Sequence, residues 1–258
     1  MAGFALCEAE ASRKGNVMKR ARTDLVIFDC DGVLIDSEII SARVLITELA
    51  RVGIVLDLDH VRRHFLGRSF PTVAEDIRRN FECPLPGNFE ARYRKGLIAE
   101  FQRSLRLTEG LLPVLDRLCV PACVATSSSP PRVAQALRIV GLADRFGADV
   151  FTASEVPRGK PAPDLFLHAA SRMGVAPKRC LVIEDSVPGV AAALAASMPV
   201  LRYTGGAHLK GEGFLAGQSA ASGVVSFDSW AEFAQIRPDL MNGTIHDEWS
   251  CRGGAEPT

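Results

Sequence analysis

The sequence predicts an α/β protein with a doubly wound, Rossmann-like parallel sheet and a second, all-helical unit inserted after the first strand. Two observations predict it. From Asp24 onward, six short apolar runs alternate with stretches of helical period, which is the pattern of βαβ units. One long interval, residues 38–106, breaks the alternation and carries helical periods alone. A third observation shows where to look for function: acids, hydroxyls and a lysine follow directly on the apolar runs.

The runs are LVIFD (25–29), ACVAT (122–126), ADVFTA (148–153), CLVIED (180–185), PVLRYT (199–204) and GVVSF (223–227). Each has strand length and is rich in Val, Ile, Leu or Phe, as expected of parallel strands buried on both faces. The helical stretches have readable ends. PPRVAQALRIVG opens with prolines and stops at Gly141, DLFLHAASRMG stops at Gly174, and SVPGVAAALAAS fills the next gap. In the insert, SEIISARVLITELARVG, DHVRRHF, TVAEDIRRNF and NFEARYRKGLIAEFQRSL are all helical in period. Asp36 is expected to N-cap the first of them. From Arg62 to Arg106 the insert has ten basic residues and five acidic ones. These are either solvated helix faces or one face turned to an anionic ligand.

At 258 residues the chain has room for a core domain with a smaller inserted one. Lys+Arg and Asp+Glu both number 30, so a strongly basic face for nucleic acid is not expected. The seven cysteines, at 7, 30, 83, 119, 123, 180 and 251, are odd in number and form no CxxC. They read as reduced thiols of a cytoplasmic protein, with Cys119, Cys123 and Cys180 buried in apolar runs. Residues 1–23 lack a signal-peptide core, because Glu8, Glu10, Arg13 and Lys14 interrupt it. They read as a disordered leader, with Met18 as an alternative start, and residues 241–258 read as a frayed tail. No apolar run is long enough to cross a bilayer, so no membrane partner is expected.

In open α/β sheets ligands bind beyond the carboxyl ends of the strands. The first strand ends in Asp29-Cys30-Asp31-Gly32 and the second in Thr126-Ser127-Ser128-Ser129. After the third comes Arg158-Gly159-Lys160-Pro161-Ala162-Pro163-Asp164, and the fourth ends in Glu184-Asp185-Ser186. Four carboxylates on one edge repel one another, and a hard divalent cation with oxygen ligands, Mg²⁺, relieves that repulsion. The lysine, the hydroxyls and the backbone N–H groups opening PPRVAQAL add a site for an anionic oxygen cluster. Together they suit a phosphoryl group. Hydrolysis of a phosphate monoester through an aspartyl-phosphate needs one carboxylate to attack, and a second acid to protonate the leaving oxygen and then activate water. Asp29 and Asp31, at i and i+2, point the same way. A protonated Asp31 requires a raised pKa, which the neighbouring carboxylates are expected to supply.

These residues carry a resemblance. DCDGVLIDSE resembles the first motif of the haloacid dehalogenase superfamily of phosphotransferases, VATSSS its second, GKPAPD its third and VIEDSVPGV its fourth, in matching order over residues 24–230. The helical insert resembles the cap of the subfamily containing β-phosphoglucomutase and small sugar-phosphate phosphatases. The resemblance implies a core of residues 24–37 and 107–232, a cap of 38–106 and a C-terminal helix and tail of 233–258. It implies Asp29 as nucleophile and Asp31 as general acid/base whose carbonyl also meets Mg²⁺. Thr126, Ser127 and Lys160 are implied to hold phosphoryl oxygens, and Asp29, Asp31, Glu184 and Asp185 to form the metal site. Asp31 argues against the dehalogenase and phosphonatase branches, which lack an aspartate there. β-Phosphoglucomutases carry a cap histidine where this chain has Ser41, which favours water as the final acceptor.

Four further residues are candidate substrate contacts, and three of them have a second reading. Glu38 reaches the substrate from the cap hinge or is a first-turn helix acid. Arg68 faces the substrate or is exposed. Ser128 is a candidate substrate contact within the hydroxyl run, and His208, in TGGAHL, lies at the crevice mouth or is structural. His60, His64, His168 and His246 are expected to be structural or exposed. The reading is a cytoplasmic, Mg²⁺-dependent phosphatase, monomeric or weakly dimeric, acting on a small phosphorylated sugar, polyol or sugar acid. The alternatives are a phosphosugar mutase and a catalytically silent binding protein.

Overall fold

The computed structural model describes residues 22–65, 67–81, 84–210 and 223–242. The expected leader up to residue 21 with Met18, the tail from residue 243 with His246, and Cys7, Cys83 and Cys251 lie outside them.

The chain opens with β1 (Leu25–Phe28) and enters the helical insert: α1 (Glu38–Ala50), α2 (Leu58–His64), α3 (Phe70–Phe81) and α4 (Phe89–Ser104). It then returns through α5 (Leu111–Arg117), β2 (Ala122–Thr126), α6 (Pro130–Ile139), α7 (Ala143–Phe146) and β3 (Val150–Thr152). The last part is α8 (Asp164–Arg172), β4 (Cys180–Glu184), α9 (Val187–Ala195), β5 (Val200–Tyr203), β6 (Val225–Phe227) and α10 (Trp230–Ile236). The six strands form one sheet in the order β3-β2-β1-β4-β5-β6, and every pairing is parallel. The chain leaves β1 toward β2 and later returns to β4 on its other side, so the order reverses at β1. Ligand crevices open at such a reversal.

Strand side chains alternate between two cores, as a period of two requires. Val26, Phe28, Val124 and Ile183 join one cluster, and Leu25, Ile27, Ala125 and Val182 the other. A third cluster lies inside the insert, around Leu45, Leu49, Val61, Val73, Ile77 and Phe89. Helix α4 belongs to both regions, since its Leu97 and Phe101 join the first sheet cluster. Buried Glu48 of α1 accepts hydrogen bonds from Arg92 of α4 at 2.9 and 2.7 Å, fastening the two longest helices of the insert.

Five expectations need correction or addition. Strand β6 is a sheet edge whose Val225 and Ser226 are exposed, unlike the doubly buried strands. Cys119 is exposed, whereas Cys30, Cys123 and Cys180 are buried. Asp36 caps no helix: the N-cap of α1 is Ser37, without a side-chain cap bond, and Asp36 Oδ1 accepts the Ala207 N–H at 2.9 Å. Met241 and Asn242 are not frayed, because Met241 bridges to Leu118 and the Asn242 N–H donates to the Arg117 carbonyl. The C-terminal helix begins at Trp230, whose fully buried ring stacks on Tyr203 and packs against Phe28.

Candidate active site

The exit of β1 turns at Gly32, whose φ of +81° favours glycine. A Cβ there would also lie 2.2 Å from Asp185 Oδ2, so the residue must be bare to let β4's carboxylate approach. The turn places Asp29 and Asp31 on the edge of a cavity of about 600 Å³ between sheet and insert. Asp29, Asp31, Glu38, Arg68, Thr126, Ser127, Ser128, Lys160, Glu184 and Asp185 all line it, which is every expected site residue except His208.

The centre is an ion cluster. Lys160 Nζ, with 2% of its side chain exposed, donates to Asp29 Oδ1 at 2.5 Å, Glu184 Oε1 at 2.8 Å and the Ala125 carbonyl at 3.1 Å. Burial works against its charge, but Asp29 and Glu184 prevail and raise its pKa, so it is an ammonium. Glu184 is held from its other side, where the Ser186 N–H and hydroxyl donate to Oε2 at 2.7 and 2.9 Å. Ser186 in turn N-caps α9, accepting the Gly189 N–H at 3.1 Å.

Asp29, Glu184 and Asp185 bring oxygens within 4.8 Å of one another, and among the described residues they are the one set of three acids, histidines or cysteines placed to hold a cation. Burial raises Asp29 well above the carboxylate range. Lys160 opposes that shift, and Glu184, Asp185 and Asp31 add to it. Asp185 is raised by burial and then by Glu184. Buried hard oxygens whose mutual repulsion calls for positive charge fit a divalent cation. The side chain of Asp31 is not in this set.

Asp31 behaves differently from the expectation. Burial pushes its pKa up, but Arg132 and hydrogen bonds from Ser128 and Ser37 outweigh burial and hold it below its usual value. Ser37 Oγ donates at 2.5 Å, Ser128 Oγ at 2.6 Å and Arg132 Nη1 at 2.7 Å. Asp31 is therefore an ionised, triply held carboxylate, and the neighbouring acids do not keep it neutral. Ser128, a candidate substrate contact, lines the cavity and donates its hydroxyl to Asp31.

The start of α6 also differs. Its first two residues are Pro130 and Pro131, which have no N–H, and the N–H groups of Arg132 and Val133 both donate to the Ser129 carbonyl. The helix terminus offers no free donor to an anion. The side chain of Arg132 stands there instead, also touching Ser41 Oγ at 3.2 Å and lying 5.4 Å over Phe101. Thr126 is buried and accepts the Ser128 N–H at 3.1 Å, leaving its own hydroxyl proton for another acceptor.

The remaining candidates separate. Glu38 is buried, and burial followed by the charge of Asp31 raises its pKa to about 7. Arg68 lines the cavity but pairs with Asp76 and the His64 carbonyl. His208 is buried with Nε2 2.8 Å from Asp185 Oδ2. The rings of His60 and His64 lie tilted against each other with centroids 4.6 Å apart, and His168 contacts Glu155. Sequence reasoning missed Arg132, Tyr93, Arg94 and Ser37. Arg94 donates to Glu90 and Ser129, and burial raises Tyr93 to about 12.

Comparison with known proteins agrees with this arrangement. The model of the haloacid dehalogenase-like hydrolases matches residues 23–197. The 6-phosphogluconate phosphatase of Escherichia coli K12 is 29% identical over 191 residues, 74% of this chain and 86% of its own. A probable pseudouridine-5'-phosphatase of Drosophila melanogaster is 35% identical over 186 residues, 68% of this chain and 79% of its own. A solved HAD family hydrolase of Deinococcus radiodurans, with bound phosphate and sodium, is 34% identical with a TM-score of 0.66, covering 86% of this chain and 98% of that one. The family match spans the acids of β1 and β4, the hydroxyls of β2 and the lysine between β3 and α8, and the chain belongs to the haloacid dehalogenase-like hydrolases.

Proposed function

We propose that this chain is a phosphatase that hydrolyses small phosphorylated metabolites of the sugar, polyol or sugar-acid class. Helices α1–α4, residues 38–106, serve as a cap over the α/β core. The observation that carries the reading is the convergence of Asp29, Lys160, Glu184 and Asp185 from three loops, with Asp31 two residues beyond Asp29 in the same cavity. The names of the relatives, phosphatases of phosphorylated small molecules, support it.

Asp29 is the nucleophile. Burial and the flanking acids raise its pKa and Lys160 opposes them. A bound cation would add to the pull of Lys160 toward the ionised carboxylate, which can attack phosphorus and become the aspartyl-phosphate. Lys160, Thr126 and Ser127 bind the non-bridging oxygens of the phosphoryl group. Asp31, a carboxylate in the free protein, must take up a proton from solvent as the substrate binds in order to pass it to the leaving oxygen. It is then again a carboxylate and takes a proton from the water that attacks the intermediate. Its three donors orient it for both steps. Asp29, Glu184 and Asp185 would hold Mg²⁺, with the carbonyl of Asp31 as a further ligand, and the ion would supply positive charge to the phosphoryl oxygens. Glu38, Tyr93 and the rim of the insert face the leaving group and exclude water.

A mutase would need a cap group that manages proton transfer at a second sugar hydroxyl. Ser41 is buried, and its hydroxyl donates to the Ser37 carbonyl at 2.9 Å, so it supplies no such group. A silent binding protein would be missing a catalytic residue, and none of the four motifs lacks one. The test is phosphate release from a panel of sugar, polyol and sugar-acid phosphates, with Mg²⁺ or with EDTA. Release should require Mg²⁺ and fall at least about a thousandfold in Asp29→Asn, as for removal of a nucleophile elsewhere. Wild-type release by that variant would overturn the assignment.

A further inference from the structure

His208 lies on the loop that follows β5, residues 204–210, and is 5% exposed. Its Nε2 is 2.8 Å from Asp185 Oδ2. At that separation Nε2 is within hydrogen-bond reach of the carboxylate, which can only accept when ionised, so the ring is the donor. Space for that ring is cleared by two glycines. A Cβ on Gly32 would lie 2.7 Å from His208 Cε1, and one on Gly206 would lie 2.8 Å from the same atom.

The loop is also fixed at two points outside the ring. The Ala207 N–H donates to Asp36 Oδ1 at 2.9 Å, tying it to the exit of β1. From α2, Arg62 Nε donates to the His208 carbonyl and Nη2 to the Lys210 carbonyl, each at 2.9 Å. No catalytic step described above uses the imidazole, yet the sequence spends two glycines and three anchoring hydrogen bonds to seat it against a carboxylate of the cation cluster.

We propose that His208 is a positioning residue for the cation site. Its Nε2–H holds Asp185 in the orientation that faces Asp29 and Glu184. The inference rests on the metal reading above. Groups that orient a metal-binding carboxylate by hydrogen bonding typically change metal affinity by about 10–100-fold when removed. An unheld Asp185 can turn away from the acids beside it, and those acids repel it.

The test is calorimetric titration of the full-length protein with Mg²⁺ alone, without substrate, so that it does not depend on turnover. His208→Leu, close in volume but without a donor, should weaken Mg²⁺ binding by about 10–100-fold. His208→Ala gives the same reading if the leucine variant does not fold. His208→Gln, whose amide can donate, should recover most of the loss. Arg62→Ala releases the loop from α2 but keeps the imidazole, and should bind Mg²⁺ as the wild type does. Wild-type affinity in His208→Leu or His208→Ala would overturn the proposal. So would a loss in Arg62→Ala equal to theirs, because loop docking would then set the site. A wild-type protein that binds no Mg²⁺ would overturn the metal reading itself, and this inference with it.

Discussion

Asp31 enters the crevice with the hydroxyls of Ser37 and Ser128 and the guanidinium of Arg132 already on its carboxylate. The Arg132–Asp31 pair is mostly buried, at 18% and 12% side-chain exposure. Removing one member of a buried pair leaves the other charge uncompensated, which destabilises by about 3–5 kcal/mol. Arg132→Met should therefore lower the melting temperature at neutral pH, and the loss should depend on pH. In the wild type the folded-state pKa of Asp31 lies below its unfolded value. The pair's stabilisation is thus present above the unfolded pKa and is lost as pH falls through the folded one. In the variant burial is opposed only by the hydrogen bonds from Ser37 and Ser128, so Asp31 titrates higher than in the wild type, and the penalty is greatest at neutral pH and eases as Asp31 takes a proton. Melting curves of the two proteins should converge from pH 7 toward pH 4. A gap that stays constant over that range would show that the pair is not its source. A cation in the first turn of a helix opposes the helix dipole, and such a local conflict marks a functional position. PPRVAQAL carried that signal in its third residue.

At the scale of elements, the clearest dependence is the approach of α9 to β4. Gly189, in the first turn of α9, would place a Cβ 1.6 Å from Glu184 Oε1. Helix propensity alone favours alanine over glycine by about 1 kcal/mol. The site predicts the reverse for activity, because Glu184 must leave its contact with Lys160. A displacement of about 1 Å at a reacting centre can lower turnover about 100-fold, and phosphate release by Gly189→Ala should fall at least that far; wild-type turnover would show that Glu184 has freedom to move. The elements themselves were legible where period had room to show. All six apolar runs became strands and the long helices lie where their apolar spacing put them. Helices α5, α7 and α10, of four to seven residues, span two turns at most and give no period to count. Asp36 illustrates a different limit: a helix cap and a tie to a loop 171 residues away have the same local sequence. The convergence of the strand-end acids was legible because parallel strands bring their carboxyl ends to one edge. The state of Asp31 was not, since it depends on Arg132, 101 residues away.

Across the whole molecule, a net charge of zero conceals an uneven distribution. Much of the basic excess of the insert pairs locally: Arg63 with Asp59, Arg68 with Asp76, Arg79 with Glu75, Arg94 with Glu90 and Arg103 with Glu100. The crevice instead gathers Asp29, Glu38, Glu184 and Asp185 around the single ammonium of Lys160, with Arg132 engaged by Asp31. Burial and repulsion raise Asp29 and Asp185, and a carboxylate whose folded pKa is raised destabilises the fold at neutral pH. The metal-free protein therefore carries strain that a cation should remove. A ligand at a hundred times its Kd adds about 2.7 kcal/mol, which for a chain of this size moves Tm by roughly 5 °C or more. Mg²⁺ should raise Tm by that order and EDTA should reverse it. Asp185→Asn should behave oppositely in two ways: a higher Tm than the wild type without Mg²⁺, because one buried charge is gone, and little or no rise when Mg²⁺ is added. Scanning calorimetry of both proteins with Mg²⁺ and with EDTA reads the two effects together. An undiminished Mg²⁺ response in Asp185→Asn would place the cation away from this cluster, whereas a lower metal-free Tm would mean that the hydrogen bond from His208 outweighs the repulsion from Glu184.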